Sequence, residues 1–271
     1  MDMTDLKTRG LVIVGCGKMG SAMLKGWLAN GLAPSSVTVI APRPSAWLQS
    51  VEGLRLNAMP DTPPAMVMLG VKPQIMPDVM PDVARFAGGQ TLFLTVAAGL
   101  PIAFYEAALG ARTPLVRAMP NTPSAIGRGI TAIVGNGAAD EADLDLCERL
   151  LGAVGQVVRL EGESQMNAVA AVSGSGPAYV FHLIETLAAA GEAEGLPADM
   201  ALKLAKATVG GAGALAEESD MLPSELRVQV TSKGGTTAEA LKVLMDAQTG
   251  FAPLLKRAVR ANINRSEELA K

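Results

Sequence analysis

The stretch LVIVGCGKMGSAMLKGWLANG, residues 11–31, decides how the rest of the chain is read. It opens on an apolar, β-branched run at 11–14 and passes through Gly15-Cys16-Gly17-Lys18-Met19-Gly20. Met23, Leu24, Trp27 and Leu28 then recur at helical spacing before Gly31 stops the helix. Strand, glycine turn and helix in that order supply the context that a G-x-G-x-x-G pattern needs. Gly15 permits the tight turn, Gly17 lets backbone N–H groups approach a pyrophosphate, and Gly20 lets the helix pack close to the strand. The open N–H groups of the helix's first turn, with its dipole, hold the anion. Dinucleotide binding is the expectation, with Gly15, Cys16, Gly17, Lys18, Met19 and Gly20 forming the loop.

The next strand decides which dinucleotide. Residues 36–40, SVTVI, form it, and an NAD site usually carries Asp or Glu at its end for the ribose hydroxyls. Here the strand runs into Ala41-Pro42-Arg43-Pro44-Ser45, which holds an arginine and no acid. A guanidinium suits a ribose phosphate that a carboxylate would repel, and Lys18 adds a second positive charge. NADPH is therefore expected, with NADH as the alternative.

Composition narrows the class. The 271 residues suffice for one large domain or two ordinary ones. Hydrophobic residues make up 49% and aromatics 3%, so the core must be built from Ala, Val, Leu and Met. A net charge of −3 without any basic block argues against nucleic acid. Cys16 and Cys147 lie far apart, which fits a reducing cytoplasm rather than a disulfide framework, and Cys16 reads as a small buried residue rather than a nucleophile. The first ten residues carry no apolar signal region, and the longest uncharged run, 88–105, is broken by Gly, Gln, Thr and Pro. It reads as a strand plus a turn, so no membrane span is expected.

Further strands follow at 65–71, 92–96, 115–119, 130–134 and 156–159, with helices around 77–86 and 141–154. This alternation predicts an α/β fold with a doubly wound, Rossmann-like and largely parallel sheet. Ligands of such sheets lie beyond the carboxyl ends of the strands. The loops there bring Val71, Lys72 and Pro73, then Ala97, then Met119, Pro120 and Asn121, to the cofactor.

Near residue 162 the character changes, and no convincing strand follows. The expected division is a dinucleotide-binding domain over 1–162 and an all-α domain over 163–271. A helix at 165–172 is expected to be interrupted by Ser173-Gly174-Ser175-Gly176-Pro177 and to resume over 178–194. Another spans 197–217, with Gly210, Gly211 and Gly213 allowing close packing. About 110 residues of small-faced helix form a stable domain by sharing a core, which predicts a homodimer through this half.

The segment VTSKGGTTAE, 230–239, is the most informative after the glycine loop. Thr236 with Glu239 fits a capping box that starts a helix running to about Met245. Gly234-Gly235 lets N–H groups converge into an anion-binding nest, and Thr231, Ser232, Thr236 and Thr237 crowd it with hydroxyls. Taken alone, the segment fits a small-carboxylate site or a glycine turn with a good helix cap equally well.

Together these motifs make the chain resemble the pyrroline-5-carboxylate reductase family along essentially its whole length. GCGKMG at 15–20, VKPQ at 71–74 and MPNTP at 119–123 carry the resemblance, most specifically with SGSGPAY at 173–179 followed by TSKGGTT at 231–237. It implies a Rossmann domain, a helical dimerisation domain that interlocks with its partner, and assemblies of dimers in some members. The implied activity is NAD(P)H-dependent reduction of 1-pyrroline-5-carboxylate to L-proline, the last step of proline biosynthesis, by hydride transfer to the ring imine carbon. Thr237 is then the catalytic residue at the imine nitrogen. Ser232, Gly234, Gly235, Thr236 and Thr237 bind the substrate, Ser232 and the N–H groups of Gly235 and Thr236 holding its carboxylate. Ser175 shapes the pocket, and no metal is expected. Two positions depart from the family pattern: Lys18, where Asn is frequent, and Lys233, where Pro is frequent.

Imine reduction suits a chain whose single histidine, His182, reads as a mid-helix packing residue. The imine nitrogen can already carry a proton when hydride arrives, so positioning and charge stabilisation supply most of the effect. A hydroxyacid dehydrogenase of the same architecture would need a lysine between 165 and 194, where there is none. A non-catalytic NADP-binding regulator would have no use for the 232–237 turn.

Overall fold

The computed structural model describes residues 3–269, and the chain divides into two units. The first comprises the residues up to Gly174 and those from Arg265 onward; the second is Ser175–Asn264.

The first unit is built on an eight-stranded sheet of order β3-β2-β1-β4-β5-β6-β7-β8. The strands are β1 Leu11–Val14, β2 Val37–Ile40, β3 Arg55–Leu56, β4 Met66–Leu69, β5 Leu92–Thr95, β6 Leu115–Met119, β7 Gly129–Gly135 and β8 Gly155–Arg159. From β3 to β6 all neighbours run parallel; β7 is antiparallel to β6, and β8 is parallel to β7. The expected parallel sheet is present, with this one reversal. Helix α1 Met3–Arg9 precedes the first strand, and α2 Lys18–Ala29, α3 Ala46–Ser50, α4 Met76–Ala84, α5 Ile102–Leu109 and α6 Glu141–Gly152 lie between strands. The run 88–105 therefore holds a strand, a turn and the start of α5, which the sequence reading did not foresee.

The sheet is covered on both faces, which is why β1 is an unbroken apolar run rather than an alternating one. Leu11 and Ile13 join one core with Met23, Leu24 and Trp27 of α2. Val12 and Val14 join a second with Met76, Met80 and Tyr105 from α4 and α5. The Trp27 indole N–H donates to the Leu150 carbonyl at 2.7 Å, tying α2 to α6.

The expected break at 173–177 is not a break. The short helix α7 Met166–Val169 continues into a π-helical turn, Ala170–Gly174, and then into α8 Gly176–Ala193. A wider turn absorbs the glycines without leaving helical geometry, and such turns are frequent at functional sites. The rest of the second unit contains α9 Ala198–Glu218, α10 Pro223–Gln229, α11 Thr236–Leu244 and most of α12 Phe251–Leu269. Its buried apolar set is Ala188, Ala201 and Ala205, with Ile184 packed against them. Gly210, Gly211 and Gly213 face open space, so the close packing expected of them does not occur within this chain. No helix among the described residues is long and apolar enough to cross a membrane.

Candidate functional site

In the first unit the expected cofactor residues follow the ends of adjacent parallel strands. Val14 pairs with Ile40 and with Leu69, Leu69 with Thr95, and Thr95 with Arg117, so β1, β2, β4 and β5 end at one level and β6 runs two residues further, to Met119. The loops after β1, β2, β4, β5 and β6 carry, in that order, residues 15–20, Arg43, Val71 to Pro73, Ala97, and Pro120 with Asn121.

The glycine loop has the geometry its pattern predicts. Gly15 adopts φ +86° and donates its N–H to Ile40 O at 2.9 Å. A Cβ there would lie 2.5 Å from Val71 Cγ1, so the turn tolerates neither the conformation nor the bulk of a side chain. Gly17 is the N-cap of α2 with no side-chain cap, and a Cβ on it would meet nothing within 4 Å. The first-turn N–H groups of α2, those of Lys18, Met19 and Gly20, bond no carbonyl among the described residues, as an anion site requires. Lys18 and Arg43 are exposed and form no ion pair among the described residues. This donor set fits a pyrophosphate and a ribose phosphate. Cys16 is half-buried rather than buried: burial pushes its thiol pKa up, and Ser21 Oγ at 3.6 Å partly counters this. It stays a protonated thiol and no nucleophile.

Several residues that hold these loops were not visible in the sequence. Asn57, at φ +55°, accepts the Ala41 N–H at 2.8 Å and so fixes the turn leading to Arg43. Asparagine's tolerance of left-handed backbone is the one local signal that marks it. Thr95 Oγ1 sits 2.7 Å from Tyr105 Oη and accepts the Ala97 N–H at 3.3 Å. The Glu163 carboxylate accepts the Ile102 N–H at 2.7 Å and pairs with Arg117, capping α5 from a distant segment. Asn121, expected at the cofactor, directs its side-chain oxygen to Ile130 N–H at 3.0 Å. Its backbone carbonyl accepts the Ser124 N–H at 3.2 Å, which leaves the carboxamide and backbone N–H groups as its donors for a ligand.

In the second unit the turn between α10 and α11 carries the hydroxyl cluster. Gly234 adopts φ +73°, and Gly235 N–H closes the turn on Ser232 O at 3.0 Å. A Cβ on Gly235 would lie 2.3 Å from Ser232 Oγ, so a side chain there would push the Ser232 hydroxyl out of its place. Two expectations are corrected. Gly235, not Thr236, is the N-cap of α11, and Glu239 pairs with Lys242 instead of closing a capping box. The reason is positional: Thr236 already has helical geometry as the first residue, and a cap must precede it. Secondly, the Gly235 N–H is engaged within the turn, so the open donors are the N–H groups of Thr236 and Thr237, neither of which bonds a carbonyl among the described residues. The hydroxyls of Ser232, Thr236 and Thr237 likewise have no partner there, while Thr231 Oγ1 donates to Arg227 O at 2.6 Å.

Ser175 lies in the same unit and accepts a hydrogen bond from Asn262 Nδ2 at 2.9 Å. His182 is not packed in this chain: its side chain is 75% exposed and lies 3.3 Å from Glu185. The helix face that carries it has nothing covering it within one chain.

Residues 163–269 match the family model described as pyrroline-5-carboxylate reductase dimerisation, and residues 10–99 match that of NADP oxidoreductase, coenzyme F420-dependent. A pyrroline-5-carboxylate reductase of Pseudomonas aeruginosa is 35% identical over 270 residues, covering 98% of each chain. The solved pyrroline-5-carboxylate reductase of Coxiella burnetii superposes with a TM-score of 0.89 at 33% identity, covering 97% of this chain and 99% of that one. The pyrroline carboxylate reductase of Plasmodium falciparum, solved with NADP bound, gives 0.81 at 26% identity over 98% of this chain and 99% of its own. Likeness at this identity and over both full lengths means that the chain belongs to the pyrroline-5-carboxylate reductase family.

Proposed function

We propose that the glycine loop and strand ends of the sheet unit hold the cofactor, and that the 231–237 turn holds the substrate with Thr237 at the reacting nitrogen. The reaction is the NAD(P)H-dependent reduction of 1-pyrroline-5-carboxylate to L-proline, and the cofactor is NADP(H). The observation that carries the reading is the turn itself. Three unpartnered hydroxyls and two open N–H groups lie within residues 232–237 at the start of a nine-residue helix, with no acid among residues 230–238.

The bound nicotinamide supplies the hydride for the ring imine carbon. The chain's own residues bind and orient. Ser232 and the N–H groups of Thr236 and Thr237 hold the substrate carboxylate, with the helix dipole behind them. The Thr237 hydroxyl bonds the imine nitrogen and relays the proton that the amine product keeps. No strong base is needed, because positioning and fixed dipoles carry the barrier reduction. Lys18 and Arg43 favour the phosphorylated ribose of NADPH over NADH.

The division of labour in this reading is cofactor binding over 1–162 and substrate binding with dimerisation over 163–271, which the dimerisation match over 163–269 supports. The homodimer is supported by the helical unit's exposed apolar side chains. Leu204 and Leu215 of α9 are 51% and 57% exposed and share a stripe with the open Gly211. Any larger assembly is built from such dimers. A cytoplasmic location belongs to the same reading, and two unbridged cysteines suit it.

The test is loss of NADPH absorbance, then of NADH absorbance, when 1-pyrroline-5-carboxylate is added to purified protein. Substrate-dependent oxidation that is faster with NADPH is expected. NADPH binding without oxidation of either cofactor would overturn the substrate assignment.

A further inference from the structure

Ser175 occupies an unusual position for a serine at a helix start. It precedes α8 as the N-cap, where a serine oxygen ordinarily accepts an N–H from the first turn. Capping needs extended backbone, however, and Ser175 sits at φ −90°, ψ −18°, because the π-helical turn delivers the chain already helical. It makes no cap bond. Its oxygen instead accepts the Asn262 carboxamide N–H at 2.9 Å, a partner on α12 that lies 87 residues away in sequence.

A serine hydroxyl has two acceptor lone pairs and one proton to donate. The neighbouring Ser173 commits its proton to Val169 O at 3.1 Å. Ser175 has no such acceptor among the described residues, so with Asn262 on one lone pair its proton is left free to donate. We propose that Ser175 is a hydrogen-bond donor to the substrate's carboxylate and that Asn262 is the positioning residue that keeps it a donor. The inference rests on the reading above that Ser175 belongs to the substrate site, and assigns it a polar role where the sequence suggested only shape.

The test separates donation from simple support. In the full-length enzyme, Asn262→Ala should raise KM for 1-pyrroline-5-carboxylate about five- to tenfold, short of the roughly 12- to 150-fold for outright loss of a hydrogen bond to a charged group because Ser175 itself remains, and should move kcat and the KM for NADPH much less. Asn262→Asp is nearly the same shape but can only accept. It draws the Ser175 proton to itself and sets a negative charge near the substrate's own, so its KM should exceed that of Asn262→Ala by about threefold or more. In a Ser175→Ala background, Asn262→Ala should add nothing further. A merely structural asparagine predicts the reverse: the aspartate milder than the alanine, both lowering Tm, and effects that add to Ser175→Ala. That pattern, or an unchanged KM in Asn262→Asp beside normal wild-type turnover, overturns the role of Asn262. A wild-type enzyme that does not turn the substrate over would instead bring down the site reading and this inference with it.

Discussion

The sheet unit and the helical unit solve the problem of burial in opposite ways. Around β1 the chain seals both faces of a sheet with its own helices, and Trp27, Tyr105 and Phe93 are fully enclosed. In the helical unit the buried apolar set is three alanines, while Phe181, Leu204 and Leu215 stand exposed. Burying an apolar side chain is worth about 1.5–3 kcal/mol, and ordering each residue's backbone costs about 1–2 kcal/mol. Three alanines cannot offset the ordering of five helices. The first unit can therefore form a ligand site from one chain, whereas the second requires a second copy to complete its core. The comparison also fits the proposed division of sites, in which strand ends position the large dinucleotide and an exposed helix start takes a small anion.

Removing Trp27 tests the first half of that comparison most severely. Trp27→Ala deletes a 2%-exposed side chain and its bond to Leu150, and should destabilise the protein by about 3–5 kcal/mol in denaturant unfolding. A loss below about 1 kcal/mol would mean that the sheet core is not the main source of stability. The opposite behaviour is expected of Leu204→Glu on the open face of α9. Within one chain it buries nothing new, but at a dimer interface it leaves an unpaired charge. Sedimentation should report monomers, and activity should fall by about 100-fold. A fully active dimer would place the interface elsewhere.

The site variants sharpen the comparison at finer scale. Thr237→Ala should lower kcat by about 10- to 100-fold, with the Kd for NADPH measured by fluorescence unchanged, because the hydroxyl meets the substrate only. Equal losses in both would place Thr237 at the cofactor. Arg43→Glu should do the converse, shifting the NADPH-to-NADH ratio of kcat/KM by about tenfold towards NADH. An unchanged ratio would make Arg43 a solvated loop residue.

Much of this was legible in the chain itself. The β1–loop–α2 unit, seven of the eight strands' places, the long helix α9 and the glycine turn before α11 all follow from apolar period and glycine placement over a few residues. Helix α5, IAFYEAAL, was not, because it is apolar around most of its circumference and lacks a polar face to mark it. The two-residue β3 is too short to carry a period, and the reversal at β7 has no local mark at all. The capping box at Thr236 misled because the pattern is right but shifted by one: Gly235 takes the cap, which leaves both threonine hydroxyls open for a ligand.

The sequence alone determined what depends on neighbours along the chain: a Gly15 that must turn with positive φ, an α2 whose N-terminus lacks a capping side chain, and a turn crowded with hydroxyls. Only the tertiary structure decided which of those groups remain available. Asn57 reaching Ala41, Glu163 capping α5 beside Arg117, the Asn121 side chain turned to Ile130, and Asn262 orienting Ser175 are pairings across 9 to 87 residues. No periodicity links such positions. Each hydrogen bond forms because packing of the apolar faces has already brought the two segments within reach, and a polar group left between them without a partner would cost more than the bond returns.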